Sequence, residues 1–236
     1  MSPTTRALRD LPDPAAVLFD LDGTLVDTVE LRILSWRKAM AAQGVHVSRD
    51  RLAPKIGFDG VLLAQELAEE AGLCWDVDVA AEVDRLAGAI FDELNTDPAP
   101  LPGARDLLVE LEESDHLAWA IATSSGPLQV AASVAALRLP AQPPVTDAGH
   151  VERAKPAADL PLAAAAQLAV APERCWYVGD STWDMIAATT AGMAAIGITT
   201  GAVPADVLVD AGAVVALPSL TDVVEELQRR GLIAAR

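Results

Sequence analysis

The sequence predicts an α/β fold, a parallel sheet with helices on both faces, split after its first strand by an all-helical insertion. Three observations carry this. From Ala104 onward, short apolar runs of strand character alternate with helical patterns, as βαβ units require. Between Glu30 and Asn95 the apolar spacing is helical and no strand stands out. The breaker Thr96-Asp-Pro-Ala-Pro-Leu-Pro-Gly103 separates the two regimes. With 236 residues and an apolar fraction of 52%, the chain can bury a sizeable core.

The elements follow in order. Residues 1–14, with three prolines and mixed charge, read as an unstructured lead-in. Ala15 to Phe19 is a buried strand. Glu30 to Gln43 is a helix with Leu31, Leu34, Trp36 and Ala39 among its apolar positions and Gly44 as its stop. Val61–Ala71 and Val79–Leu94 are further helices. After the breaker come helix Ala104–Glu113, strand Leu117–Ala122, helix Pro127–Leu137 and a short strand at Val145-Thr146. Helix Ala157–Ala169, strand Cys175–Val178, helix Trp183–Thr190 and strand Ala194–Ile198 follow. Helix Ala205–Asp210, strand Ala213–Leu217 and helix Leu220–Arg230 close the chain. The expected organisation is a core of residues 15–28 and 101–236 with a helical cap over 29–100. Ligands of open parallel sheets bind at the carboxyl ends of the strands, so an insertion leaving that edge can act as a lid.

Charge and composition exclude several functions. A formal net charge of −17 argues against nucleic acid, which binds a basic face, and against anionic membranes. The apolar runs stop short of a bilayer crossing, and Met1 to Pro14 lacks the apolar stretch of a signal peptide. A soluble, cytoplasmic protein, monomer or homodimer, is expected. Cys74 and Cys175 have neither metal-ligand nor disulfide-framework spacing. Of 17 cationic residues, Lys38, Lys55 and Lys155 alone are lysines, a hint that some serve a purpose.

Four polar clusters fall where strands end. In Asp20-Leu-Asp22-Gly-Thr24, the i, i+2 spacing lets both carboxylates face one point. Such a pair repels unless a cation or a shared proton relieves it, and Gly23 permits a tight turn beside a ligand. Thr123-Ser124-Ser125-Gly126 precedes a helix and suits either an anion or simple N-capping. Lys155-Pro156 opens the next helix, where the ammonium can neutralise phosphate, steady a carboxylate, or face solvent. In Val178-Gly-Asp180-Ser-Thr-Trp-Asp184, Asp180 ends a strand and Asp184 follows one turn later. These are oxygen donors of the kind Mg²⁺ prefers, or helix caps. Each cluster is modest alone; their order and shared location point to a single site.

At these residues the sequence resembles the haloacid dehalogenase-like hydrolases, in particular the phosphoglycolate phosphatase and β-phosphoglucomutase-like group. D-L-D-G-T-L-V-D-T is the most specific match, supported by V-G-D-S-T-W-D-M and the Lys155-Pro156 pair, and the likeness spans residues 15–230. It implies a Rossmann-like core with an inserted helical cap and a Mg²⁺-dependent phosphatase of a small phosphorylated metabolite. Residue by residue, it implies Asp20 as nucleophile and Asp22 as general acid and base. Thr123 would bind the phosphoryl group, and Lys155 would balance charge. Mg²⁺ would be held by Asp20, the Asp22 backbone carbonyl and Asp180, with Asp184 supporting. Backbone near Leu21, Asp22 and Ser124, shaped by Gly23, would embrace the phosphate.

The second acid, Asp22, sets the chain apart from dehalogenases and phosphonatases as the resemblance describes them. Lys55 lies where phosphonatases carry a cap lysine; here it reads as a substrate contact or a surface residue, with Ile56 and Phe58 as neighbouring specificity positions. Ala154 and Ala158 depart from the usual pattern without removing a reacting group. Asp27 would cap the first helix of the insertion. Two rivals stand beside the phosphatase: a sugar phosphomutase on the same architecture, and a catalytically silent interaction protein.

Overall fold

The computed structural model describes residues 8–114 and 116–234. Its elements run β1 (Ala16–Phe19), β2 (Val26–Asp27), α1 (Val29–Ala42), α2 (Arg49–Leu52), α3 (Gly60–Glu70), α4 (Val77–Leu94), β3 (Ala99–Pro100), α5 (Ala104–Glu112) and β4 (Ala118–Ala122). There follow α6 (Pro127–Ala136), β5 (Val145–Thr146), α7 (Asp159–Gln167), β6 (Cys175–Gly179), α8 (Thr182–Thr190), β7 (Ala194–Ile198), α9 (Ala205–Asp210), β8 (Val215–Leu217) and α10 (Leu220–Arg229). Six strands form one parallel, Rossmann-like sheet in the order β5-β4-β1-β6-β7-β8.

β1 lies at the centre, with Ala16 opposite both Ala118 and Cys175. All four of its residues are apolar and buried, as expected of a strand covered on both faces. Their alternation divides the core. Val17 and Phe19 join Ile121, Trp176 and Val178 beneath α5 and α10, whose Leu107, Leu111, Val223 and Leu227 face the sheet. Ala16 and Leu18 join Ala120, Tyr177 and Ala195 on the other face, against Ala164, Met185 and Leu208 of α7, α8 and α9. Small residues on that face let the helices approach closely.

Helices α1 to α4 lie between β2 and β3 and pack on a third apolar cluster that includes Ile33, Trp36, Met40, Leu63, Leu67 and Val83. The stripe of α1 differs from the expected one: Ile33, Trp36, Ala39 and Met40 are buried whereas Leu34 is exposed. The breaker also contains structure, because β3 within it pairs antiparallel with β2, Val26 opposite Pro100. Both chain crossings between sheet and helices thus run through one short ribbon.

The lead-in is corrected from Leu8 onward; residues 1–7 lie outside the described residues. Leu8 is buried in the first core cluster. Arg230 ties the segment down, donating to the carbonyls of Leu8 (2.8 Å) and Leu11 (2.9 Å) and to Asp13 (2.6 Å) while its guanidinium covers the Trp176 ring. Leu8 and Arg9 are helical, and apolar contact and a buried guanidinium order the chain up to the prolines. The other elements match their expected bounds to about two residues. Among the described residues no helix is long and apolar enough to cross a membrane.

Candidate active site

Because the strands are parallel, β1, β4 and β6 end on one edge, and the residues that follow them are Asp20, Thr123 and Asp180. Register fixes their positions: the Asp20 amide donates to Val178 O (2.9 Å) and the Thr123 amide to Thr146 O (3.0 Å). A cleft of about 440 Å³ opens there, lined by these residues, by Asp22, Ser124, Ser125 and Lys155, and opposite them by α1, α4 and residues 56–61.

Asp20, Asp180, Asp184 and Lys155 form a buried group. The Lys155 ammonium is ion-paired with Asp20 and lies 2.7 Å from Asp184 Oδ1. Asp184 Oδ2 accepts from the Ser181 amide (3.1 Å) and hydroxyl (2.6 Å). Asp180 Oδ1 accepts from Thr24 Oγ1 (3.1 Å). Below them the Tyr177 hydroxyl donates to Ala122 O (2.9 Å), with Asp184 Oδ1 at 3.3 Å.

Two carboxylates therefore share one ammonium, with the Asp180 carboxylate beside them and held by Thr24 instead. Burial pushes the Asp20 carboxyl up to about 7, with Asp184 adding to the rise and Lys155 opposing it. Burial, Asp20 and Asp184 push Asp180 well above the carboxylate range. For Lys155 burial works against the charge, but Asp184 and Asp20 outweigh it and hold the ammonium protonated. Oxygens of Asp20, Asp180 and Asp184 come within 4.8 Å of one another. Uncompensated carboxylates in a dry pocket are costly, and a hard divalent cation with oxygen ligands relieves them. This donor set fits Mg²⁺. The backbone is shaped to it: at Gly23 (φ +84°) and at Gly201 a Cβ would overlap the Asp180 carboxylate.

Asp22 has a different environment. Thr28 Oγ1 (2.6 Å), Arg32 Nη2 (2.8 Å) and Ser125 Oγ (2.5 Å) all donate to its carboxylate. Burial alone would raise its pKa, but the Arg32 charge and these hydrogen bonds outweigh burial and hold the carboxyl below its usual range. Thr123 is buried, and its hydroxyl accepts from the Ser125 amide (3.1 Å). The Ser124 hydroxyl is buried without a partner among the described residues, a donor in search of an acceptor.

Two expectations need correction. Lys55 does not line the cleft; its ammonium pairs with Glu66 and lies 3.5 Å from Glu70. Its neighbours Ile56 and Phe58 do line it, Phe58 stacked on Trp183 at 4.3 Å. Asp27 is exposed in β2, while the residue before α1 is Thr28, whose hydroxyl turns to Asp22. Arg32 was not anticipated from the sequence. It extends from α1 to Asp22, to Ser125 Oγ (2.5 Å) and to Gln129 Oε1 (3.3 Å), its guanidinium 3.5 Å from the centre of the Phe91 ring. The available signal was the Thr28–Arg32 spacing of one helical turn, which sets both beside the first cluster.

The family profile described as haloacid dehalogenase-like hydrolase matches residues 17–198. Hexitol phosphatase A of Escherichia coli is 32% identical over 181 residues, 77% of this chain and 81% of that protein. Phosphoglycolate phosphatase of Shigella boydii is 31% identical over 209 residues, 80% of this chain and 82% of that one. The crystal structure of a hydrolase from Pseudomonas syringae superposes with a TM-score of 0.86 at 30% identity, covering 91% and 98% of the two chains. Profile, relatives and fold agree, and the chain belongs to the haloacid dehalogenase-like hydrolases.

Proposed function

We propose that the protein is a Mg²⁺-dependent phosphatase that hydrolyses the monoester of a small phosphorylated metabolite through an aspartyl-phosphate on Asp20. The observation that carries this reading is the buried Asp20–Lys155–Asp184 group with Asp180 beside it, opening into a cleft that could admit such a substrate. The names of the relatives, which include phosphatases of sugar-alcohol and hydroxy-acid phosphates, support it.

Asp20 attacks phosphorus, and the bond from phosphorus to the ester oxygen breaks. Asp22 gives its proton to that departing oxygen. In the second half Asp22 takes a proton from water, whose oxygen attacks phosphorus and releases Asp20. Thr123 and Ser124 donate to the phosphoryl oxygens, the second supplying the hydroxyl that has no internal partner. Lys155 lowers the repulsion between the Asp20 carboxylate and the phosphate. Asp20, Asp180 and the Asp22 carbonyl would hold Mg²⁺, with Asp184, whose oxygens are already engaged, supporting through water. The ion supplies neutralisation of charge on the transferring group.

The ionised, Arg32-paired Asp22 suits the second half-reaction directly; the first requires that it carry a proton. Residues 29–100 act as the cap, and Arg32 is its bridge to the reacting edge. A phosphomutase would instead return the phosphoryl group to its substrate, and a silent protein would turn over nothing.

The test is phosphate release from a panel of sugar phosphates, phosphoglycolate, nucleotides and an aryl phosphate, with and without Mg²⁺. Release that requires both Mg²⁺ and Asp20 is expected. Isomerisation of a hexose phosphate without net release would favour the mutase, and no turnover of any ester the silent protein.

A further inference from the structure

The cleft wall opposite Asp20 is acidic. Asp59, Asp84 and Asp92 line it from the start of α3 and from α4. Asp59 Oδ1 caps α3 through the Leu62 amide (3.1 Å). Asp84 is half-buried and has no hydrogen bond or ion pair among the described residues. Its carboxylate lies against Gly60, where any Cβ would overlap it, so its position is built into the wall. Burial and the neighbouring Asp59 push the Asp84 carboxyl above its usual range, and Arg32 opposes them only in part.

The cationic residues that line the cleft, among the described residues, are Arg32, Arg85 and Lys155, and each is committed. Arg32 serves Asp22 and Ser125. Arg85 is exposed and turns both Nε (2.9 Å) and Nη2 (2.5 Å) to Glu82. Lys155 serves Asp20 and Asp184. The two buried cations of the cleft are therefore already engaged beside the phosphate site, and Arg85 is paired only across the exposed face of its helix.

We propose that Asp84, with Asp92 and Asp59, selects the leaving group: an alcohol that presents hydrogen-bond donors and no negative charge to these carboxylates, and not a hydroxy acid. This rests on the phosphatase reading above. A hydroxyl donated to an ionised carboxylate makes a charge-assisted hydrogen bond. A carboxylate brought into the same cleft meets like charges, a repulsive element of the kind that sets specificity.

The experiment compares kcat/KM of the full chain with Mg²⁺ on esters of similar size: glycerol 3-phosphate, phosphoethanolamine and phosphoglycolate, with p-nitrophenyl phosphate as generic reporter. The glycerol ester is expected to exceed phosphoglycolate about tenfold or more, equivalent to about 1.4 kcal/mol, with phosphoethanolamine on the glycerol side. In Asp84→Asn and in Asp84→Asn/Asp92→Asn the glycerol-to-glycolate ratio should fall severalfold, chiefly through faster glycolate turnover. Circular dichroism melts of the variants confirm folding.

Phosphoglycolate turned over at least as well as the glycerol ester overturns this inference alone, as does phosphoethanolamine as poor as phosphoglycolate. A ratio unmoved in folded variants does the same. No release from any ester, p-nitrophenyl phosphate included, overturns the phosphatase reading and this one with it.

Discussion

Asp20 and Asp22 are two residues apart and differ in every partner. Asp20 shares an ammonium with Asp184, and Asp22 accepts from a guanidinium and two hydroxyls. Their pKa values diverge accordingly, upward for the first and downward for the second, a separation that suits different chemical tasks. Asp20→Asn is expected to lower kcat by on the order of 10⁴-fold or more, measured as phosphate release; near-normal turnover would end the nucleophile assignment. Arg32→Ala removes the main charge that depresses the Asp22 carboxyl and leaves burial to raise it. The acidic limb of the pH–rate profile should then move to higher pH. The sign for stability is set by the depressed value: the Asp22 contribution is present above its ordinary 3.8 and is lost as pH falls through the lower folded value. The variant should lose roughly 2–3 kcal/mol at neutral pH, the scale of hydrogen bonds to a charged group. A limb and a melting curve that both stay in place would show the pair to be incidental.

Strand ends and turns decide whether those residues meet. β1 was legible as Ala15 to Phe19 because a run covered on both faces is uninterruptedly apolar. The β2–β3 ribbon was not legible. Two residues on each side carry no periodicity, and their partners lie about 70 positions apart, across four helices. Between β1 and β2, Gly23 turns at φ +84° with its carbonyl accepting from Thr200 Oγ1 (2.6 Å). Gly23→Ala forces a side chain into an unfavourable left-handed conformation, at about 1–2 kcal/mol, and into the Asp180 carboxylate. Its half-saturating Mg²⁺ concentration for activity should rise at least tenfold with the overall fold retained. An unchanged Mg²⁺ dependence would mean that Asp180 does not hold the ion.

At the scale of the whole molecule, charge at the sheet edge couples to global stability. In protein stripped of divalent cations, Asp20 titrates near 7 against an ordinary 3.8. The folded state therefore binds more protons between those values. That contribution is full below the ordinary value and is lost as pH rises through about 7. The cation-free protein should accordingly melt lower at pH 7.5 than at pH 5.5. Mg²⁺ should restore it: at 100 times its Kd, linkage supplies about 2.7 kcal/mol, roughly 5–10 °C for a chain of this size. Scanning calorimetry at the two pH values with and without Mg²⁺ checks both signs, and a melt indifferent to Mg²⁺ would contradict the metal site. By itself the sequence determined the class of fold, the alternation of strands and helices, and the polar residues that follow the strands, because burial periodicity and strand-end chemistry are local properties. Tertiary structure alone decided that Lys55 turns away to Glu66, that Arg32 crosses to Asp22, and that Asp84 lines the wall facing the phosphate site. Those outcomes depend on how the inserted helices seat against the sheet edge: the Thr28–Arg32 spacing sets both residues on one helical turn, but it does not by itself encode which of several arginines and lysines reaches a given carboxylate.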